Sequence, residues 1–282
     1  MNSSPNRHDY SELAQKIEKK QRRIVNTAMI AALLSIFGTL CLSMILHILY
    51  SDKEFNFSSS VIIHALIAVF LWELVAISRN TSAVNNALLL EANPHKYLAL
   101  RCAVERAHYV RKRDKELARM EAYYLMGDFS DATPYAEQSA RDCRSPNMLV
   151  GIYYLAVMAF FSKKTDAFDA AVAQFRDKLQ TVRMNENTRA AWSKTSCVID
   201  LMEAILHDER EKMKQLTSTL PMDLNRCSDV GAHCVKGLAC EILGEREQAK
   251  FEFQYTIVRG EHLFFAVVAQ NGLARLDQAS KE

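Results

Sequence analysis

The sequence predicts an all-α protein in which an N-terminal transmembrane helical hairpin precedes an α-solenoid of helix pairs. Two observations lead to this prediction: uncharged apolar stretches between residues 24 and 77, and regularly spaced helix breaks in the charged remainder. Eight glycines and five prolines in 282 residues are few, which favours helices over turn-rich β architectures. The net charge of +2 gives no support to nucleic-acid binding.

The predicted membrane hairpin consists of helices at 24–50 and 61–78, joined by a short external loop at 51–60. The first stretch contains no Asp, Glu, Lys or Arg, and Glu73 is the only such residue in the second. Since about 20 apolar helical residues cross a hydrocarbon core of about 30 Å, both stretches are long enough once flanking serines are included. The first is much too long for a cleaved signal peptide.

Basic residues flank this hairpin on the side of both termini. They precede the first helix at Lys16, Lys19, Lys20, Arg22 and Arg23. By the positive-inside rule both termini then lie in the cytoplasm, and we expect an integral protein of a bacterial inner membrane. Residues 1–23 are expected to form either an amphipathic helix on anionic lipid or a solvated linker.

Small residues recur every four positions in the first predicted membrane helix, with a glycine beside them: Ala31, Ser35, Gly38, Thr39 and Ser43. Such residues let helices approach closely in lipid, so this face is expected to pack on the second helix, with self-association as the alternative. Glu73 is the intramembrane ionisable candidate. Its place near the cytoplasmic end favours an interfacial or helix-pairing role over an ion path.

Helix breaks recur in the remainder, where connecting helices or a cap at 79–112 precede a repeat domain at 113–282. Near Gly127 and Gly244 an apolar helix ends at glycine, an acidic residue follows, and alanine comes five residues after the glycine. Glycine permits the left-handed turn that closes a helix, and the acid favours the next helix N-terminus. Weaker breaks at 165 and 207 give spacings of 38, 42 and 37 residues, typical of helical-hairpin arrays.

The residues at these breaks resemble the tetratricopeptide repeat (TPR) family. The resemblance is carried by the repeat-packing positions Tyr123, Gly127, Ala132, Gly237, Gly244, Ala249 and Phe253. The two middle units lack the glycine and are longer than a usual repeat. The resemblance implies that the inner helices line a concave groove that binds a peptide or helix of an unknown protein partner.

The groove faces implied by this resemblance lack the Lys/Asn clamp with which some members hold a terminal carboxylate. They carry Asp114, Leu117, Ala118 and Glu121 in one unit, and Gly231, Cys234, Val235 and Leu238 in another. A basic cluster lies just before them at Arg111, Lys112 and Arg113. A solvated helix face is favoured there over contact with anionic lipid headgroups.

No catalytic motif and no cofactor-binding signature occurs in the sequence, so a non-enzymatic role without cofactor or metal is expected. The sharpest metal candidate is Cys227, His233, Cys234 and Cys240, but the last two cysteines fall on different faces of one helix. Free buried thiols are the favoured interpretation. The function expected is a membrane-anchored interaction scaffold, with an accessory subunit of a membrane transport or secretion complex as the alternative.

Overall fold

The computed structural model confirms the all-α prediction. It describes residues 9–49, 66, 69–70, 72, 84–107, 110–141, 147–220 and 226–279, among which no strand occurs. The backbone alone is described for 9, 28, 31–33, 35–36, 39–40, 42–43, 46–49, 226 and 228.

The helices are labelled in chain order. They are α1 (Asp9–Leu49), α2 (Pro94–Ala107), α3 (Lys112–Met126), α4 (Phe129–Ala140), α5 (Asn147–Phe161), α6 (Thr165–Thr181), α7 (Glu186–Leu206), α8 (Arg210–Thr219), α9 (Arg226–Leu243), α10 (Arg246–Arg259) and α11 (Phe264–Gln278). A short helical segment also covers 84–89.

The chain divides into two compact units. Unit 1 comprises 1–86 and 99–110, and unit 2 comprises 87–98 and 111–282. Unit 2 therefore contains the whole predicted repeat domain together with a segment from the predicted connecting region.

In unit 1, an ion-pair cluster centred on Glu18 joins α1 to the end of α2. Arg106 donates to one carboxylate oxygen of Glu18 at 2.9 Å, and Arg22 donates to the other at 2.9 Å. The hydrogen bond from Arg106 lowers the pKa of Glu18, which keeps this carboxylate ionised.

The predicted location in a membrane is contradicted. Among the described residues no helix is long and apolar enough to cross a bilayer. Residues 24–49 of the predicted first span belong to the 41-residue helix α1, whose N-terminal half is rich in charge. An integral membrane protein with both termini in the cytoplasm is therefore a wrong prediction.

Most of the predicted second membrane helix, the loop at 51–60 and Glu73 lie outside the described residues. So do the side chains of Ala31, Ser35, Thr39 and Ser43 on α1. At Gly38 the structure describes no atom within 4 Å of the place where a Cβ would stand.

Unit 2 is built of helix pairs that pack in sequence. Within the pairs, α3 packs on α4, α5 on α6, α7 on α8 and α9 on α10. Between pairs, the first helices also contact one another, α5 on α7 and α7 on α9, and α9 contacts the C-terminal helix α11. Helix α11 also contacts α3, so the last element of unit 2 touches the first pair.

The turn inside each pair places one residue in the left-handed region. These residues are Gly127 (φ 82°), Lys163 (φ 57°), Asp208 (φ 51°) and Gly244 (φ 79°). The residue after each donates its N–H to a carbonyl five positions back in the chain, as in a Schellman cap: Asp128 to Tyr123, Lys164 to Ala159, Glu209 to Ala204 and Glu245 to Cys240, each at 2.9 Å. All four pairs thus share one turn geometry, although only two of the turns contain glycine.

The last pair is held by Phe253, which is fully buried between two helices that each present a glycine. A Cβ built on Gly237 of α9 would lie 2.6 Å from the Phe253 ring, and one on Gly272 of α11 would lie 2.5 Å from it. The ring therefore fits only because both positions lack a side chain. Ala249 is fully buried in the same core.

Replacing the two turn glycines by alanine separates conformational strain from steric conflict. Gly244→Ala is expected to lower the free energy of unfolding by about 1 kcal/mol, because L-residues resist the left-handed region. At Gly244 nothing lies within 4 Å of an added Cβ, whereas at Gly127 it would stand 2.8 Å from Phe264. Gly127→Ala is therefore expected to cost about 1–3 kcal/mol more. Urea unfolding measures both, and equal losses would contradict this packing.

Candidate functional site

A cavity of about 120 Å³ in unit 2 collects side chains from the first helix of every pair. Helix α3 contributes Glu121, Tyr124 and Leu125, and α5 contributes Tyr153 and Tyr154. The three tyrosines form its aromatic wall. The other side comes from Val198 and Met202 of α7, Cys227 and Gly231 of α9, and Phe265 of α11.

Contacts between aromatic rings position the three tyrosines of this wall. Tyr124 and Tyr154 bring α3 and α5 together, with ring centroids 4.4 Å apart. Tyr153 lies beside Tyr154 and also meets Trp192 of α7 edge-on at 6.3 Å. Burial raises the pKa of Tyr153 to about 12 and raises those of Tyr124 and Tyr154 as well. The phenols stay neutral near neutral pH and can hydrogen-bond without adding charge to the wall.

The start of α11 carries two adjacent aromatic rings, Phe264 and Phe265, of which Phe265 lines the cavity. Phe264 packs edge-on against Phe129 of α4 at 5.2 Å and against Phe161 of α5 at 5.0 Å. Phe265 packs on Tyr124 at 6.1 Å. These ring contacts, rather than polar bonds, bring α11 to the first pair.

The helical segment 84–89 reaches the same cavity through Leu88 and Leu89. Leu88 is buried, and its carbonyl oxygen accepts a hydrogen bond from the Cys227 thiol at 3.2 Å. The cavity of unit 2 is therefore lined partly by a piece of the chain that lies outside the helix pairs.

A buried polar network joins α9 to α10. Glu252, almost fully buried, accepts from Nδ1 of His233 and from Lys236 at 3.0 Å. Burial raises the pKa of Glu252, but these hydrogen bonds outweigh it and leave the pKa below its usual value. The His233 ring also stacks on Tyr255, which donates to Asp229 at 2.6 Å. The network neutralises a buried carboxylate inside the last pair, which is a structural role.

A second ionic cluster lies at the surface between α6, α7 and α8. Arg176 donates to Glu203 at 2.8 and 3.0 Å and to Asp200 at 2.6 Å, while Lys212 donates to Glu203 at 2.9 Å. The hydrogen bond from Arg176 lowers the pKa of Glu203 to about 2. These bonds hold the middle pairs together at the surface.

The predicted repeat-packing residues occupy positions inside the pairs rather than in the cavity. Tyr123 of α3 stacks on Tyr135 of α4 at 6.2 Å, and Ala132 is fully buried. Of the predicted groove faces, Glu121 and Gly231 line the cavity. Leu117 lies in a surface depression between α3 and α4.

Two residues of the basic cluster, Lys112 and Arg113, contact polar side chains within unit 2. Lys112 lies 3.7 Å from Glu116, and Arg113 donates to the Asn147 amide oxygen at 3.0 and 3.1 Å when that amide is oriented to face it. Arg111, Lys112 and Arg113 are exposed. Contact of these residues with anionic lipid headgroups stays a prediction.

The predicted cysteine and histidine candidates have separate partners. The Cys234 thiol donates to the Phe265 carbonyl at 3.8 Å, and burial raises the pKa of Cys240 to about 12. His233 pairs with Glu252, as described above. In the part of the chain that the structure describes, no three His, Cys, Asp or Glu side chains are grouped to hold a metal ion.

Sequence reasoning missed three features of this site. Lys163 and Asp208 adopt a conformation that glycine usually signals, and no sequence pattern marks them. Gly272 stands in an ordinary helical pattern, so its contact with Phe253 is visible only in three dimensions. The segment at Leu88 is too short an apolar run to reveal what it packs against.

Comparisons with protein-family models, with curated proteins and with solved structures found no match to this chain. The class of protein is therefore inferred from the helix pairs and from the cavity that they line.

The Glu203 cluster gives a pH-dependent test. A carboxylate with a depressed pKa contributes stability that is present above its unfolded value, near 4.5, and is lost as the pH falls towards about 2. Glu203→Gln is thus expected to destabilise the protein at pH 7, with the difference from wild type narrowing below pH 4.5. Urea unfolding at several pH values measures this. Glu211→Gln, at an exposed side chain, is the control, and a pH-independent difference for Glu203→Gln would contradict the ion pair.

Proposed function

We propose that this chain is a non-enzymatic protein-interaction module, related in architecture to TPR-like solenoids, that binds a helix or peptide of a partner protein. The observation that carries the proposal is the cavity to which the first helix of every pair contributes side chains. Arrays of helix pairs use surfaces lined by equivalent helices to bind extended or helical partners.

The chemistry of the lining favours binding over catalysis. Its side chains are mostly aromatic and aliphatic, including Tyr153, Val198 and Phe265. Such surfaces hold apolar groups by excluding water, and aromatic residues are enriched where partner proteins bind. The Cys227 thiol is engaged with the Leu88 carbonyl.

The repeated turn geometry supports the relationship to helical repeats. Lys163 and Asp208 supply in the middle pairs the left-handed residue that Gly127 and Gly244 supply in the outer ones. The departure of the middle pairs from the TPR sequence pattern is thus compatible with the same helix-pair geometry. A role through a membrane hairpin is not retained, because the membrane location is contradicted.

Site-specific photo-crosslinking in cells tests this function. A photoreactive residue at Tyr153, inside the cavity, is expected to capture a discrete protein partner reproducibly. The same residue at Gln174, exposed on α6, is the matched control and is expected to capture none. Equal capture at both positions, or no capture at Tyr153 by protein that is folded and abundant, would contradict binding in this cavity.

A further inference from the structure

We propose that residues 87–90 are an intramolecular ligand of the cavity and that its external partner is a short apolar helix with adjacent leucines that displaces them. This inference rests on the proposed function, since it names what the same cavity binds and how access to it is controlled. Leu88 and Leu89 are the residues of this segment that line the cavity.

The segment buries one face and exposes the other, as a helix bound in a cavity would. Ala87 and Leu88 are buried, whereas Leu89 and Leu90 are 44% and 59% exposed, so one face of a single helical turn packs inward. The Leu88 carbonyl, at the C-terminal end of this turn, accepts a hydrogen bond from the Cys227 thiol at 3.2 Å. A partner helix that ends at the same place would offer an equivalent carbonyl.

The junction after the segment is strained. Ala92 has a φ of 49°, and its N–H bonds to the Leu88 carbonyl at 3.1 Å. A non-glycine residue in the left-handed region costs about 1–2 kcal/mol, which reduces the net free energy that holds the segment in place. Release of the segment relieves this strain.

The next helix does not need the segment in order to start. The side-chain oxygen of Asn93 accepts a hydrogen bond from the backbone N–H of Lys96 at 2.9 Å. Asn93 thus caps α2, whose first residue is Pro94. Both the cap and the proline favour a helix that begins at this point whatever precedes it. The backbone at Ala92 and Asn93 can therefore serve as the hinge at which the segment leaves the cavity.

The charge of the lining limits the chemistry of the partner. Apart from Glu121, the described lining residues are uncharged. An uncharged apolar helix therefore fits this lining. The resident turn, with three leucines and no charge at positions 87–90, matches this description.

A labelled copy of the segment tests the proposal on the full-length protein. The probe is a fluorescein-labelled peptide of residues 84–98, and its binding is followed by fluorescence anisotropy. Leu88→Asp in the protein disfavours burial of the resident turn and is expected to open the cavity. Leu90→Asp, at an exposed leucine of the same turn, is the matched control.

Leu88→Asp is expected to bind the peptide at least about tenfold more tightly than wild type, because a cavity that is open a tenth of the time loses tenfold in apparent affinity. Leu90→Asp is expected to bind like wild type, and a peptide carrying Leu88→Asp is expected not to bind. If the Leu88→Asp protein loses helicity by circular dichroism, Leu88→Ala takes its place with a smaller expected gain.

Two results would overturn the proposal and separate it from the proposed function. Equal, measurable binding to wild type and to Leu88→Asp would leave a peptide-binding cavity that the segment does not control. Folded Leu88→Asp and Leu88→Ala proteins that do not bind the peptide would exclude the segment as a ligand, while partner capture at Tyr153 would still stand. Failure of both experiments would remove both proposals.

Discussion

The left-handed residue at the turn inside each helix pair is the constraint on which the rest of unit 2 depends. A helix that ends in a Schellman cap returns the chain along its own side, so the next helix packs on the one just completed. Because the cap recurs at four turns, four pairs are built in the same way. The first helices of the pairs then face one region, and the cavity forms between them.

The sequence indicates the left-handed residue at only two of these four turns. Gly127 and Gly244 predict their turns because glycine adopts positive φ without steric cost. Lys163 and Asp208 adopt the same conformation at a cost that tertiary packing must offset, and packing cannot be read from local sequence. The helix breaks themselves were predictable, since the periodic apolar pattern stops at each of them.

The candidate site was less predictable than the fold. Glu121 and Gly231 were identified from the expected inner faces, but the aromatic wall of Tyr124, Tyr153 and Tyr154 depends on how α3 and α5 approach one another. The membrane prediction is also wrong. It was made from the uncharged run, and among the described residues no helix is long and apolar enough to cross a bilayer.

Helix α9 contributes side chains both to the cavity and to the buried network around Glu252. Helix α9 turns His233 and Lys236 towards α10, where they bind the Glu252 carboxylate, and turns Cys227 and Gly231 towards the cavity. The charges fix the pair, while the cavity face remains apolar and small. The proposed binding of a partner helix at the cavity face leaves the bonds that hold the pair together undisturbed.

The central claim is that a segment of the chain covers the cavity wall at Cys227, and native alkylation of cysteines tests it most directly. Mass spectrometry after brief iodoacetamide treatment reports each thiol separately, with exposed Cys41 and fully buried Cys240 as internal references. In wild type, Cys227 is expected to react as slowly as Cys240. In Leu88→Asp it is expected to react at least about tenfold faster, while Cys240 stays slow. A wild-type Cys227 that reacts as fast as Cys41 would contradict the account.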